Sequence, residues 1–511
     1  MLEEFSTHFA ADIYSNDIHH QGAILQIISD YPRGLDVTSI QEYFPLSRRT
    51  IYKYIEEINA VATLAEENKT DENIDYGEIK KENNLYYFTG NRISFQHIYS
   101  KIIDESVALI ICKQLLVTRE INVKQFCYDH YISETALRRN IVKFNNYMEK
   151  YGLSILIAKG FLSLHGTAPK IRFGLATFLW RNYRGLQWPF PNVSQKSMRN
   201  LALRIGTIYS IDFNQGKLME LMYILGTNFS QISVNNFISP GDISQEMLDL
   251  LILDDRDQEF YDYLTNFFGL NDTELSFIVL WFKSMSDAYS TSNRAQIIYE
   301  KLKKLNHSFY KKNVKYIMAV ESRTNTKIDF STPTGELFLA TIIAGQFHLN
   351  LFHDLSFTIA NIDMDHFGGN IEIGLFEGIK NITLPNNTEL DPGELNTAIM
   401  FNAMAFMLIF PHHYFDPQIN ILIKMDAPAY AEQIFTLHLR EILDPYFNVA
   451  IFNQKTSNHV QPDLLVSTAL FLDESIDQKY QIFVNPQLNS SDRTNLHKIV
   501  TMITAEKRAE K

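Results

Sequence analysis

Apolar and polar residues near the N-terminus follow one pattern twice, in residues 37–59 and again 86 positions later in residues 123–145. In both stretches the apolar residues recur every three or four positions, which is the spacing of one buried face of an α-helix. Ser47 and Ser133 stand at matching places before the longer apolar run, where a serine can cap a helix N-terminus. Each stretch therefore predicts a short helix, a turn and a longer helix, which is the pattern of a helix-turn-helix.

The second helix of each predicted pair leaves a basic outer face. In a helix-turn-helix bound to DNA, the N-terminal part of this helix enters the major groove, where Arg pairs well with guanine and Asn with adenine. The predicted DNA contacts are the outer residues of the two helices: Arg48, Arg49, Tyr52 and Lys53 in the first unit, and Thr135, Arg138, Arg139, Asn140 and Lys143 in the second.

Alternating apolar and polar residues around a tight turn follow each helix pair, in residues 78–88 and 153–164. This alternation predicts a β-hairpin wing, and Lys159 at the tip of the second wing joins the predicted DNA contacts. A serine-capped amphipathic helix also occurs in all-α proteins that bind no DNA. Two such units in register, each with a wing and a basic outer face, favour duplex DNA as the partner.

Charge is distributed unevenly along the chain, whose 511 residues carry a formal net charge of −13. Residues 133–209 contain twelve Lys or Arg against two acidic residues, a local excess that suits a phosphate-rich partner. An acidic loop at residues 65–73 follows the first unit and would be repelled by phosphate. The second unit is therefore predicted to contribute more to DNA binding than the first.

The middle of the chain, residues 191–410, has the apolar periodicity of helices. A weak repeat at an offset of 119 to 120 residues predicts two copies of one helical bundle, divided near residues 290–294. Chance similarity between leucine-rich helices is the alternative to duplication.

The C-terminal part alternates strands with helices, which predicts a small α/β domain with a largely parallel sheet. The predicted strands cover residues 419–424, 447–452, 464–467 and 481–484, and the predicted helices cover residues 429–443 and 491–504. The segment after the first strand, residues 425–430, contains neither the glycines of a phosphate-binding loop nor a cysteine. Binding or dimerisation is therefore expected of this domain rather than catalysis.

Composition disfavours several classes of protein. The two cysteines, Cys112 and Cys127, are too few for a disulfide framework and lack metal-ligand spacing, which favours a reducing compartment. The N-terminus is acidic where a signal peptide would be basic, and no apolar run reaches the length that a bilayer requires. We therefore predict a cytoplasmic protein that has no enzymatic activity, cofactor or metal and does not contact a membrane.

The order of these units resembles the Mga/AtxA family of virulence regulators from Gram-positive bacteria. The resemblance spans nearly the whole chain and rests on domain order and on residues 46–55 and 132–141. It implies a multidomain, mainly α fold in which the C-terminal domain mediates self-association into a homodimer or higher oligomer. The implied domains are two winged helix-turn-helix domains at 1–92 and 93–190, two bundles similar to phosphotransferase-system regulation domains (PRD) at 191–294 and 295–412, and an α/β domain similar to a sugar-permease IIB component (EIIB) at 413–511.

Two departures from the family pattern bear on phosphoryl transfer. In regulation domains of this type, the helix that resembles residues 274–281 commonly ends on a phosphorylatable histidine. Here Trp281 stands at that place, and Met400 or Phe401 stands there in the second copy. The IIB-like domain normally carries a phosphorylated cysteine after its first strand, and residues 425–430 contain none.

His348, with His353 as second choice, remains the candidate phosphate acceptor, and a phosphocarrier protein of the phosphotransferase system would be its partner. The predicted function is a transcription regulator that binds double-stranded DNA through two winged helix-turn-helix units, as a dimer held by its C-terminal part. The alternative is a phosphotransferase-related signalling adaptor whose N-terminal units bind protein.

Overall fold

The computed structural model describes residues 13–67, 76–291, 293–359, 373–453, 460–469 and 480–509, which form a mainly helical fold with three small sheets. Two compact units are present: the described parts of Met1–Thr291 with Phe347–Ile362, and those of Ser292–Gln346 with Asp363–Lys511. The helices are α1 (Asn16–Asp30), α2 (Val37–Tyr43), α3 (Arg48–Glu67), α4 (Arg92–Asp104), α5 (Val107–Gln114), α6 (Val123–Asp129), α7 (Glu134–Met148), α8 (Ala168–Tyr183), α9 (Gln195–Tyr209), α10 (Gln215–Ser233), α11 (Gln245–Leu248), α12 (Asp255–Phe268), α13 (Asp272–Lys283), α14 (Arg294–Lys304), α15 (Ser308–Thr324), α16 (Pro333–Phe352), α17 (Ile373–Thr383), α18 (Pro392–Met407), α19 (Ala429–Leu443) and α20 (Ser490–Ala509). The strands are β1 (Ile79–Glu82), β2 (Leu85–Phe88), β3 (Ile121–Asn122), β4 (Ser154–Ala158), β5 (Phe161–His165), β6 (Ile419–Lys424), β7 (Val449–Asn453), β8 (Leu464–Ser467) and β9 (Gln481–Phe483).

The first unit begins with a helix-turn-helix and its wing, formed by α1 to α3 and the antiparallel pair β1 and β2. Ile24, Ile40 and Ile58, one on each helix, are fully buried, and α1 and α2 both pack against α3. Asn83 and Asn84 both have positive φ, at 50° and 66°, which is the conformation that a two-residue hairpin turn requires. The predicted first wing is therefore present.

The second helix-turn-helix follows the same plan with α6 and α7, and its wing is the antiparallel pair β4 and β5. A short strand, β3, pairs with β5 and makes this sheet three-stranded. The turn residues Lys159 and Gly160 have positive φ, at 51° and 84°. The predicted second wing is present with the turn at the expected place.

One asparagine in each repeat ties the long helix to its wing. Asn59 donates to the Ile79 carbonyl at 2.9 Å and accepts from the Ile79 N–H at 2.8 Å. Asn145 does the same with Ile155, at 3.0 and 2.7 Å. Because each amide satisfies both backbone groups of one strand residue, it fixes the angle between the helix and the wing. The matching asparagines of the sequence repeat therefore have the same structural role.

Helix α8 leads from the second wing into the first bundle, and a buried ion pair holds it there. Arg172 on α8 donates to both carboxylate oxygens of Glu274 on α13, at 2.6 and 2.9 Å, and both side chains are fully buried. A second buried pair within the bundle joins Lys283 to Asp257 at 2.5 Å. Charges removed from water need partners of this kind, because an unpaired buried charge is very costly.

The end of α16 and the residues after it, 347–359, belong to the first unit, although the sequence assigned them to the second bundle. Lys170 forms an ion pair with Asp354 at 2.5 Å. The buried guanidinium of Arg181 donates to the carbonyl of Thr358. Both basic side chains lie on α8, so this helix holds the segment by two separate contacts.

The repeat that the sequence suggested for the two helical bundles has one match in the structure, between the starts of helices α13 and α18. Helices α13 and α18 begin 120 residues apart, at Asp272 and Pro392. The residue before each start caps it: Asn271 accepts from the third helical N–H at 3.0 Å, and Asp391 does so at 2.9 Å. The shared cap at the predicted offset is consistent with duplication of a helical bundle.

The C-terminal part is an α/β domain with four parallel strands in the order β7-β6-β8-β9. Its core combines β6 and β8 with α19 and α20, and Ile421, Leu439 and Val500 are fully buried in it. The predicted strand at 447–452 instead covers Val449–Asn453, because the Phe447 N–H still bonds to the carbonyl of Leu443 at the end of α19. The predicted closing helix at 491–504 extends over Ser490–Ala509.

Candidate nucleic-acid interface

Helix α7 is positioned as the recognition helix of the second unit by one cap and one buried face. Ser133 accepts a hydrogen bond from the Ala136 N–H at 3.1 Å, which caps the helix as expected. Leu137, Ile141 and Phe144 are buried at helical spacing. Because this face is buried, the opposite face of the first two turns of α7 is exposed to solvent.

Thr135, Arg138 and Arg139 are exposed on that face. Arg138 forms an ion pair of 2.7 Å with Glu134, one turn earlier, and both side chains are more than half exposed. Arg139 makes no hydrogen bond or ion pair within the described part of the chain. An exposed ion pair of this type is worth little, so Arg138 can exchange Glu134 for a phosphate or a base edge.

Two residues predicted to face outward are engaged within the chain. The Asn140 amide donates to the Ala136 carbonyl at 2.9 Å. The Lys143 ammonium donates to the Asn16 side-chain oxygen at 3.1 Å and lies 3.5 Å from the Tyr14 carbonyl. The periodicity of α7 cannot show these contacts, because the partners of Lys143 lie more than 120 residues away in the sequence.

Lys159 lies exposed at the tip of the second wing, between β4 and β5. Tyr131, in the turn before α7, has a φ of 53° and is 97% exposed. A non-glycine residue with positive φ is uncommon, and this one stands two residues before Ser133, which caps α7. Sequence reasoning missed Tyr131, whose only signal was its place directly before the capping segment.

In the first helix-turn-helix unit, the predicted DNA contacts are held differently from those of the second. Ser47 caps α3 by accepting from the Thr50 N–H at 3.1 Å. Arg48 is exposed but donates to Gln41 at 3.3 Å and to Thr38 at 3.1 Å. Its guanidinium is therefore tied to α2, the first helix of the pair.

The other three contacts of the first unit are exposed on α3. Arg49 has no hydrogen bond or ion pair with the described residues, Lys53 pairs with Glu57 at 3.4 Å, and Tyr52 lies beside the wing. The ammonium of Lys81, on β1, is 6.0 Å from the Tyr52 ring centre. Lys81 thus joins α3 and the wing into one basic and aromatic surface. Sequence reasoning missed this residue, although it lies within the residues 78–88 predicted to form the first wing.

A comparison with known proteins concerns the second helix-turn-helix unit. Residues 91–179 match the Mga helix-turn-helix domain. The matched residues include α7, its wing and most of α8, and the first helix-turn-helix unit lies outside them. The resemblance to Mga regulators that the sequence suggested is therefore confirmed for the second helix-turn-helix unit.

A relative with a regulator's name was also found. The chain is 19% identical over 244 residues to a protein named "Putative trans-acting regulator" from Streptococcus pneumoniae serotype 4 (strain ATCC BAA-334 / TIGR4). The aligned residues make up 47% of this chain and 47% of that protein, so the chain spans about half the length of the curated relative it matches.

Tertiary contacts reduce the basic excess of residues 133–209. Four of the twelve basic residues pair with carboxylates: Arg138, Lys170, Arg172 and Arg204. Arg181 is buried and bound to backbone carbonyls. The charge that the sequence suggested for DNA is therefore partly used inside the first compact unit, whereas Arg138 and Arg139 of α7 and Lys159 of its wing stay exposed.

The two candidate phosphate acceptors differ in accessibility. His348 is buried, its Nε2 donates to the Leu355 carbonyl at 2.9 Å, and the ring packs against Phe173 with the ring centres 5.1 Å apart. Burial lowers the pKa of His348 to about 4, so the ring is neutral near pH 7. A phosphoryl donor cannot reach this nitrogen without opening the core. His353 is exposed, with a φ of 55°.

The places at which the family's regulation domains carry histidine are occupied by core residues here. Trp281, Met400 and Phe401 are all buried. Within the described residues, no group of three His, Cys, Asp or Glu side chains is arranged to hold a metal ion. In the same part of the chain, every helix is too short or too polar to cross a membrane.

Proposed function

We propose that this protein is a transcriptional regulator that binds double-stranded DNA through its two winged helix-turn-helix units. The observation that carries the proposal is the exposed face of α7, with Thr135, Arg138 and Arg139 on a capped helix inside the matched Mga domain. Arg can pair with a guanine edge or with phosphate, and Thr can bond to either. Lys159 on the wing would add a phosphate contact beside the groove.

The second unit is proposed to contribute more than the first. Arg138 is held by one exposed ion pair along its own helix, whereas Arg48 is tied to α2 by two hydrogen bonds. A side chain that must leave two partners before it binds gains less from the DNA contact. We therefore expect Arg138→Ala to weaken DNA binding more than Arg48→Ala.

Fluorescence anisotropy tests the proposal with full-length protein and labelled mixed-sequence duplexes across a salt series. Each lost phosphate contact should lower the slope of log affinity against log salt by about 0.9. The double variant Arg138→Ala/Arg139→Ala is therefore expected to lower the slope by about two. The matched control is Lys196→Ala/Arg199→Ala, which removes the same charge from exposed positions on α9.

An unchanged slope in the α7 variant, or an equal loss in the α9 control, contradicts the proposal. Absence of binding even at low salt would favour the alternative of an adaptor whose N-terminal units bind protein. The two functions differ in chemistry, because only the regulator releases counterions from a polyanion when it binds.

We also propose that a second copy of the chain binds the outer face of α19. Tyr430, Ile434 and Leu437 lie one helical turn apart and are 72%, 50% and 51% exposed, opposite the buried residues Phe435 and Leu439. Three large apolar side chains on one exposed stripe are typical of an association surface. This supports the homodimer that the family resemblance implied.

The proposal that the phosphotransferase system regulates this protein rests on the family resemblance. Of the two nominated histidines, the exposed His353 is the one that a phosphocarrier protein could reach. Phosphorylation there would add negative charge next to Asp354, which pairs with Lys170 of α8. Phosphopeptide mass spectrometry after incubation with the phosphocarrier protein tests this, and modification of His348 in place of His353 would contradict it.

A further inference from the structure

The four residues before and at the start of α1, Ile13 to Asn16, bind the second helix-turn-helix unit; we call them the anchor segment. Ile13 is buried and lines an apolar cavity together with Phe144 of α7 and Phe178 of α8. The buried Tyr14 hydroxyl donates to the Asn182 side-chain oxygen, on α8, at 2.7 Å. The anchor segment therefore enters the core of the second unit although it begins the first.

Lys143 closes this junction from the recognition helix. Its ammonium donates to Asn16 Oδ1 at 3.1 Å and lies 3.5 Å from the Tyr14 carbonyl oxygen. Asn16 is the first residue of α1, whose N-terminus is capped by Ser15. The contact thus joins the recognition helix of one unit directly to the first turn of the other.

Helix α4 supports the same junction from another side. Gln96 on α4 donates to the Asn182 carbonyl, on α8, at 3.0 Å. Arg92, at the start of α4, donates to Gln26 on α1 at 3.3 Å. The packing of α4 on α1 is close, because a Cβ added at Gly22 would lie 2.8 Å from the Tyr99 ring. Both units are therefore fixed to one helix as well as to each other.

We propose that Lys143 is a positioning residue: it holds α3 and α7 at one spacing, so that a single molecule recognises one composite duplex site with two half-sites. The inference rests on the proposed function, because it concerns the kind of DNA that the two units bind together. An ammonium with two neutral oxygens beside it has two of its three donors engaged within the chain. A rigid pair of readers avoids the entropy of ordering two independent domains on binding, and in return it accepts one spacing between half-sites.

The first test measures how affinity depends on spacing. A duplex site is selected from a random library with the full-length wild-type protein, and five base pairs, half a helical turn, are then inserted between its two protected blocks. Wild-type affinity is expected to fall at least tenfold, and that of Lys143→Met less than threefold. Lys143→Arg, which keeps the charge and donors, should restore the wild-type response.

Salt dependence separates positioning from phosphate contact. Lys143→Met should leave the slope of log affinity against log salt unchanged, whereas Arg139→Met, an exposed charge one turn earlier, should lower it by about one. Asn16→Ala, made on the other side of the junction, should reproduce the spacing effect of Lys143→Met. The double variant should add nothing further, because both changes remove the same contact.

Hydrogen exchange tests the junction without DNA. Amides in the first turn of α1, including the His19 N–H that bonds to the Ser15 carbonyl, should exchange faster in Lys143→Met and Asn16→Ala but not in Arg139→Met. Unchanged exchange together with a slope reduced by one in Lys143→Met would overturn the inference, as would a selected site with one protected block. Failure to bind any DNA would reject the composite site together with the proposed function, and faster exchange would then show that the junction itself exists.

Discussion

Breaking the fully buried ion pair between Arg172 and Glu274 should strongly destabilise the first compact unit, which contains both residues. Arg172 has four hydrogen bonds: two to Glu274, one to the Asn228 side chain at 3.0 Å and one to the Asn236 carbonyl at 2.9 Å. Glu274 also accepts from the Ile238 N–H at 2.7 Å. Arg172→Met keeps much of the side-chain volume and leaves a desolvated carboxylate with a single donor among these contacts.

The magnitude follows from the cost of an uncompensated buried charge. Removing one partner of a buried pair typically destabilises by about 3 to 5 kcal/mol. Removing both partners avoids the lone charge but leaves the Asn236 carbonyl and the Ile238 N–H without these bonds, at about 1 to 3 kcal/mol each. Arg172→Met/Glu274→Leu should therefore be less damaging than the sum of its single changes, and still less stable than the wild type.

Urea unfolding followed by tryptophan fluorescence provides the assay. All three tryptophans of the chain, Trp180, Trp188 and Trp281, lie in the first unit, so their signal reports that unit alone. With a slope of about 3 kcal/mol per M for a unit of this size, the expected loss lowers the midpoint by about 1 to 2 M urea.

The matched control is the exposed pair of Arg204 and Glu259, which joins α9 to α12 at 2.6 Å with side-chain exposures of 39% and 51%. An exposed pair contributes about 0.2 to 1 kcal/mol, so Arg204→Met should move the midpoint by about 0.3 M or less. Equal shifts for Arg172→Met and Arg204→Met would refute the reasoning. Strict additivity of the Arg172 and Glu274 changes would do the same, because it would mean that the two charges do not interact.

Three further predictions concern separate parts of the chain. Ser133→Ala removes the cap of α7 and should cost about 1 kcal/mol, seen as roughly fivefold faster hydrogen exchange in the first turn of that helix; an unchanged rate would show that the cap contributes nothing. Leu437→Glu should shift a dimer toward monomer in sedimentation velocity, whereas Met318→Glu, also at an exposed position, should not. Because the folded pKa of His348 is about 4 and the unfolded value is 6.5, the unfolded state binds more protons between these pH values. Stability should therefore be complete above pH 6.5 and fall as pH decreases toward 4, by up to about 1.4 kcal/mol per pH unit. His348→Gln, which can still donate to the Leu355 carbonyl, should flatten this decrease, and a tryptophan-detected midpoint with the wild-type pH dependence would contradict the assignment.

The elements of this protein could be predicted from the sequence because their signals are local. Apolar residues three or four positions apart predicted α3 and α7, the serines before them predicted the caps, and alternation around a tight turn predicted both wings. The parallel strands of the C-terminal domain followed from the same kind of pattern. Such signals depend on residues within one or two turns of each other, so they can be read from the sequence without knowing the fold.

The partners of the charged side chains depend on contacts between distant parts of the chain. Lys143 looked like a DNA contact by its place on α7, but its ammonium binds Asn16. Arg172 looked like part of a basic surface, but it is buried against Glu274, 102 residues later in the sequence. His348 was the first choice as phosphate acceptor, but it is buried, and burial lowers its pKa to about 4. Periodicity tells which face of a helix is polar, whereas the energy of a charge depends on what lies opposite it and on how much water remains, and both are set only when separate elements pack together.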